Sequence, residues 1–530
     1  MIRAIKRRLF PVEAVLPGYR QPKNKNWILT RNTLFFSVLI FISLFYGLLS
    51  AIFPVAFYIY MALPIIVIAA LVVWALPDRE WFPAGLVEWL FWAFLYAQLL
   101  WPNYIAIVLP GLPWITINRL FTAPLAAIFL IALAQSAQTR SQLKDILANS
   151  RFVTGCFIVV AVLQVVTLVF TQQLAFSVNK LIDAEIQWNL VFFIAAFVFA
   201  REGRARKFFT IYPWLITILM IVAVFEWRSS TVLWANSIPS FLHANDEATE
   251  RMLSGAARAS TGIYRVQSIF STSLNFAEVM ALEIPFLLYW IFYAKRVLVR
   301  ILCVALLPAV FTIILSTDSR LGVVGFFASM IIFTGMYGIS RWVRIKGDIV
   351  GPAITMFYPF SIALFFVATL VSHRFGAIIW GNGAQQASNE GREAQWASGW
   401  PKIGAWPFGN GIGMGAETLG TRNPAGILTI DSYYLVVLLE YGVIGFIAWL
   451  GMWIGSAVQA TRWSLVDDSE EGRMLPIMAT FMLVFVIIKG VLAQDDSHGI
   501  VYMMLGMIVG MCWRAKQRQL AGNAVALPAP

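Results

Sequence analysis

Apolar runs of about 20 residues recur along this chain, separated by short polar or basic stretches. An α-helix needs about that length to cross roughly 30 Å of hydrocarbon. The pattern predicts fourteen spans, near 32–49, 55–76, 86–102, 115–136, 152–171, 187–200, 208–226, 272–293, 298–316, 321–340, 349–371, 431–460, 474–493 and 498–513. The sixth is short, and the twelfth is long enough to project beyond the lipid. The expected fold is all-α, a polytopic membrane bundle of about 14 transmembrane helices. A basic segment over 1–31 precedes one transmembrane domain over 32–513, and a tail over 514–530 follows. Three polar interruptions stand out, at 227–271, 316–320 and 372–430.

Composition agrees with the pattern. The chain is 60% hydrophobic and only 12% charged, whereas soluble domains carry about 25% charged residues. Its 21 Trp and 16 Tyr suit the aromatic belts at both membrane interfaces. The net charge of +12 points to no nucleic-acid partner, because the basic residues lie in short clusters between apolar runs. Alternating the loops from an inward N-terminus places 27 of the 39 Lys and Arg on the inner side. A cytoplasmic N- and C-terminus is thus expected from the positive-inside rule, with the three polar interruptions on the external face. Met1 to Arg31 lacks the apolar stretch and small-residue cleavage site of a signal peptide. Cys156, Cys303 and Cys512 lie far apart and read as packing residues, with neither a disulfide framework nor a metal site.

Candidate chemistry concentrates beside the membrane, most of all between Gly391 and Gly445. Arg320, in Ser316-Thr-Asp-Ser-Arg320-Leu-Gly322, sits at the junction of two spans. It either snorkels, pairs with Asp318, or offers a guanidinium fork to a phosphate. Arg392 and Trp396 share one face of a short helix. That helix is either a surface amphipath or part of a site. The run Gly409-Asn-Gly411-Ile-Gly413-Met-Gly415 is neither flanked by strand and helix nor followed by Gly-Lys-Ser/Thr, so it is no nucleotide loop. Its glycines let backbone approach a ligand closely or present amides to an anion. Asp431 opens an apolar span as a natural N-cap or a general base. Glu440 falls inside that span as a structural acid or a site residue. Asp495, Asp496 and His498 could hold a metal, but a solvated turn is the expected reading.

Four blocks, in order over residues 260–450, resemble the O-antigen ligase/polymerase superfamily of bacterial surface-polysaccharide enzymes. They are Tyr264-Arg265 through Phe270 with Asn275-Phe-Ala277; Leu315 through Gly322; Gly391 through Trp396 with Pro407 through Gly413; and Asp431 through Leu435 with Glu440 through Gly445. The resemblance implies a glycosyltransferase-C-like bundle with a large external loop. It implies transfer of a glycan from undecaprenyl pyrophosphate to a hydroxyl at the periplasmic face of the inner membrane, with no cofactor, metal or nucleotide sugar. Arg320 and Arg392 would grip the pyrophosphate. Arg265, Trp396, Gly411, Gly413, Glu417 and Glu440 would bind substrate, with Trp400 and Trp406 as further stacking surfaces. In the ligase branch the position of Asp431 is typically histidine. Aspartate favours a polymerase whose acceptor is another lipid-linked repeat, with Asp431, Glu417 and Glu393 as candidate bases. A flippase and a chain-length regulator would be natural partners. The rival readings are a ligase to lipid A core or protein and, from another class, a lipid-linked oligosaccharide flippase. The charges at the outer edge and the absence of a repeat disfavour the last of these.

Overall fold

The computed structural model describes residues 82–107, 115–239, 241–244, 264–372, 386–422 and 426–526, with a few isolated positions besides. The helices are α1 (Ala84–Leu100), α2 (Ile117–Gln135), α3 (Ala137–Ala148), α4 (Arg151–Val166), α5 (Leu174–Ala184), α6 (Leu190–Phe199), α7 (Arg204–Ser229) and α8 (Ser273–Tyr293). They continue as α9 (Val297–Ser316), α10 (Arg320–Arg344), α11 (Val350–Val371), α12 (Gln386–Ala405), α13 (Gly415–Leu419), α14 (Tyr433–Val466), α15 (Glu470–Lys489) and α16 (His498–Ala526). Three short antiparallel strands complete the described residues: β1 (Ile105–Ile107) pairs with both β2 (Ile115–Thr116) and β3 (His243–Ala244).

Among the described residues eleven helices are long and apolar enough to cross a membrane. Each coincides with one of the predicted spans, so this is an all-α, multi-pass membrane protein. The predicted span 86–102 corresponds to α1, an apolar helix just short of that length. The spans at 32–49 and 55–76 lie outside the described residues. One boundary moves substantially. The short span expected at 187–200 belongs to a continuous helical segment from Leu174 to Phe199. Its first half carries Lys180, Asp183 and Glu185, which hide it from hydropathy. A π-helical turn, Glu185–Asn189, joins α5 to α6.

Two compact units are distinguishable, one formed by residues 1–84 and 127–141 and the other by 85–126 and 142–530. Within the first, Phe82 packs edge-on against Phe129 at 6.5 Å between centroids. Within the second, α14 packs along α15 and α4, α16 along α6, and α8 lies against α9, α10 and α15.

Buried charges lock this second unit. Lys489 and Glu278 are both fully buried and paired at 3.0 Å. Ser497 donates to the same carboxylate at 2.9 Å, and Lys489 donates to the Gln494 carbonyl at 2.6 Å. Glu226, near the end of α7, accepts from the Tyr264 hydroxyl at 2.7 Å and from the amides of Gln267 and Ser268 at 3.0 and 2.7 Å. That carboxylate pins a loop in which Ser268 takes a left-handed φ of 52°. At the basic end of the unit, Arg344 donates to the carbonyls of Ser464, Asp467 and Gly472. Arg518 there pairs with Asp467 and Glu471 at 2.5 and 2.7 Å.

Candidate active site

The longest polar interruption of the second half builds a helix. Gln386 to Ala397 is rich in helix formers, which supports α12 despite Gly391. Residues three or four apart share a helix face, and one face of α12 carries Asn389, Arg392, Gln395, Trp396 and Gly399. At the far end of that face, Gly399 packs against α14. A Cβ there would stand 2.7 Å from Leu435 Cδ1, so a larger residue would have to push the buried Leu435 side chain aside. Trp396 packs on the cluster of Ile403, Leu419, Leu435, Leu438 and Leu439, while Trp400 is exposed. Their rings lie 5.3 Å apart.

Two predicted site residues dock on this face. Arg320 Nη2 donates to Asn389 Oδ1 at 2.9 Å. The Asp431 amide donates to Gln395 Oε1 at 2.9 Å, and Gln395 Nε2 reaches Asp431 Oδ2 at 3.4 Å. Arg392 lies between these two contacts, about 4.5 Å of helical rise from each. The structure thus brings Arg320, Arg392 and Asp431 along one face of one helix. Asp431 does not cap α14, because Ser432 occupies the N-cap position. The Nε of Arg392 and the hydroxyls of Ser319 and Ser432 are buried without a hydrogen-bond partner. Each of those atoms belongs to this face or lies one residue from a group docked on it.

Other predicted residues support the site from behind. Arg265 Nε donates to the Thr317 carbonyl at 2.9 Å, and its Nη2 to that of Asp318 at 3.4 Å. With the Val266 amide on Ser316 O at 3.2 Å, Arg265 holds the turn that carries Arg320. Lys402 donates to the carbonyls of Thr418 and Leu419 at 2.8 and 2.7 Å, closing the end of α13. Glu417 is exposed and, among the described residues, accepts a hydrogen bond from Gln173 at 3.5 Å. Glu393 is exposed as well.

The glycine run presents an amide to a carboxyl group, and that carboxyl belongs to the chain. Helix α14 is broken at Gly442, with φ 72° and ψ −174°. Loop residues fill the break: the Asn410 amide bonds Leu439 O at 2.9 Å, Gly411 N bonds Glu440 O at 3.2 Å, and Val443 N bonds Pro407 O at 3.1 Å. The Gly415 amide donates to the Glu440 carboxylate at 3.2 Å. Gly411, Gly413 and Glu440 are therefore engaged with one another in one local structure. A Cβ on Gly442 would stand 2.1 Å from Pro407 O, in a backbone region open essentially to glycine alone. Gly442→Ala is expected to cost about 2–4 kcal/mol from strain and overpacking together. Thermal unfolding of the purified protein measures it, and an unchanged midpoint would refute this account of the break.

The expectation of a solvated turn at Asp495, Asp496 and His498 is corrected. His498 is fully buried, with its ring 4.9 Å from Trp188 and 4.7 Å from Tyr433. Asp496 accepts from the Ser271 hydroxyl and, at 2.6 Å, from Asn275 Nδ2. Burial pushes the Asp496 carboxyl up, and the charge of Asp495 adds to that push. Burial acts on Asp495 too, but Lys180, His498 and Lys489 together hold it below the ordinary carboxylate range. Two neighbouring acids thus meet opposite environments.

The chain is thus a multi-pass helical bundle in which Arg320 and Asp431 dock on the loop helix that carries Arg392. Residues 302–450, which hold Arg320, Arg392, Asp431 and Glu440, match the family described as O-antigen ligase. The match is confined to that segment, which is similar to an O-antigen ligase/polymerase-type domain. No curated protein matches the chain.

Sequence reasoning missed Asn389 and Gln395, the two residues that dock Arg320 and Asp431. Their positions three before and three after Arg392 carry the signal once a helix there is granted.

Proposed function

We propose that the protein is a polysaccharide polymerase of the bacterial inner membrane. It transfers a glycan from undecaprenyl pyrophosphate to a hydroxyl of another lipid-linked repeat unit at the periplasmic face. The observation that carries this reading is the single α12 face on which Arg320 and Asp431 dock with Arg392 between them.

The chemistry follows from that arrangement. A departing pyrophosphate concentrates negative charge, and preorganised guanidinium groups stabilise it without reorganisation at the moment of reaction. Arg320 and Arg392 hold the diphosphate, with the unpartnered Nε of Arg392 as a ready donor. Asp431 takes the proton of the attacking hydroxyl. The acceptor oxygen forms its bond to the anomeric carbon as the bond from that carbon to the diphosphate oxygen breaks, and undecaprenyl pyrophosphate leaves. Fixing Asp431 by Gln395 rather than by a helix cap leaves its carboxylate available for that step.

Three tests separate the parts. Asp431→Asn is expected to lower turnover about 10²- to 10⁴-fold, the range of general base catalysis, with donor binding kept. Full activity in that variant would remove the base assignment. Asn389→Ala is expected to lower activity about tenfold, the worth of a hydrogen bond to a charged group. Asn389→Asp should lower it further, because a carboxylate there competes with the diphosphate for Arg320. Equal activity in both Asn389 variants would contradict the docking role. Finally, the acceptor found joined to the product decides between polymerase and ligase, since a polymerase yields longer lipid-linked glycan and no conjugate to lipid A core or protein.

A further inference from the structure

The same unit contains a cavity of about 300 Å³ that is lined entirely by residues outside the matched segment. Arg119, Lys180, Asp183, Trp188, Asp495 and Asp496 line it. Arg119 Nη2 grips both oxygens of Asp183, at 2.5 and 2.6 Å, so that pair is fixed and self-neutralised. Among the described residues Lys180 makes no direct hydrogen bond or ion pair, and no side chain donates to the Asp495 carboxylate. The two charges face the cavity without touching. Trp188 and Gln187 reach the cavity from the π-helical turn Glu185–Asn189, a distortion that frequently marks functional sites.

Two parts of the cavity's lining adjoin residues of the candidate site. Ile269, Phe270 and Ser271 line it, and Arg265, which holds the Arg320 turn, lies four residues upstream. On the other side, Lys180 Cγ lies 3.1 Å from where a Cβ on Gly413 would stand.

We propose that this cavity is a glycan subsite holding one neutral pyranose ring of the lipid-linked substrate. The proposal rests on the lipid-linked glycan reading above and adds where a sugar sits and of what class. A sugar hydroxyl both donates and accepts, so adjacent hydroxyls can bridge Asp495 to Lys180. Trp188 and Tyr104 supply apolar surface for the ring's carbon face. With Arg119 paired to Asp183 and Lys180 facing Asp495, the lining offers no unmatched positive charge to an acidic sugar. The size falls at the lower end of the range for small-molecule sites, right for a single ring.

The test uses the full chain in lipid nanodiscs and saturation-transfer NMR with methyl glycosides of glucose, galactose, mannose and N-acetylglucosamine, and with glucuronic acid. At least one neutral glycoside is expected to bind. Lys180→Met and Asp495→Asn should each weaken that binding about tenfold, with thermal midpoints showing that the variants are folded. Should both unfold, Ser271→Cys gives a second route, because a bound glycoside should slow labelling of its thiol by a methanethiosulfonate reagent. The proposal is overturned if no glycoside binds, if glucuronic acid alone binds, or if binding ignores both substitutions and leaves the thiol unprotected. Sugar-free undecaprenyl pyrophosphate, tested separately on the unmodified protein, reports on the underlying reading. Its failure to bind would sink that reading whatever the glycosides do.

Discussion

Arg392→Ala is expected to lower turnover by about 10²- to 10³-fold, the loss seen when one preorganised donor to a developing anion is removed. The protein should stay folded. Arg392 makes no hydrogen bond to another described side chain, and its Nε is buried without a partner, so truncation breaks no hydrogen bond among the described residues. That combination distinguishes a ligand-facing arginine from a structural one, whose removal would orphan its partner. Arg392→Lys should recover only part of the loss, because a point charge cannot reproduce a planar fork against two phosphate oxygens. Single-turnover kinetics on reconstituted protein check both variants. Equal activity in the alanine variant would remove Arg392 from the site and leave α12 as a surface helix.

The second large effect concerns stability. Glu278→Ala or Lys489→Met is expected to destabilise the protein by about 3–5 kcal/mol, the penalty for leaving one member of a buried pair uncompensated. Both side chains are wholly buried, and the pair also carries Ser497 and the Gln494 carbonyl. Losing it therefore loosens the 490–497 turn as well. The double variant Glu278→Leu with Lys489→Met should recover most of the loss, since apolar replacements of both ions are often neutral or better. Thermal unfolding in detergent reads all three. Single variants with an unchanged midpoint would show that the pair contributes nothing to the fold.

Much of the architecture was legible in the residues because hydrocarbon imposes a simple rule. Every described span except Leu174–Phe199 coincides with an apolar run of sufficient length. The rule failed where polar groups are satisfied internally. Lys180, Asp183 and Glu185 hide the first half of the Leu174–Phe199 segment, yet they face protein and a cavity rather than lipid. Helix α12 was expected only as a short piece around Arg392. Gly391, Gly399, Gly404 and Pro401 argue locally against a long helix, and packing of Gly399 on Leu435 overrides them.

Site residues divide along the same line. Arg320, Arg392 and Asp431 stood out because charge at the edge of an apolar span is costly without a purpose. Gly411, Gly413 and Glu440 stood out equally, yet their mutual engagement depends on the break at Gly442, which no local pattern announces. Asp495 and Asp496 looked like an ordinary solvated turn. Only the approach of Ser271 and Asn275 across the fold makes that turn part of the interior.

The most direct measurement reconstitutes the purified chain with an undecaprenyl-pyrophosphate oligosaccharide, chelator present and nucleotide sugars absent, and follows glycan length. The account predicts extension that disappears in both Arg320→Ala and Arg392→Ala proteins. Lipid-linked substrate crossing the bilayer without extension, or extension that survives both substitutions, would contradict it.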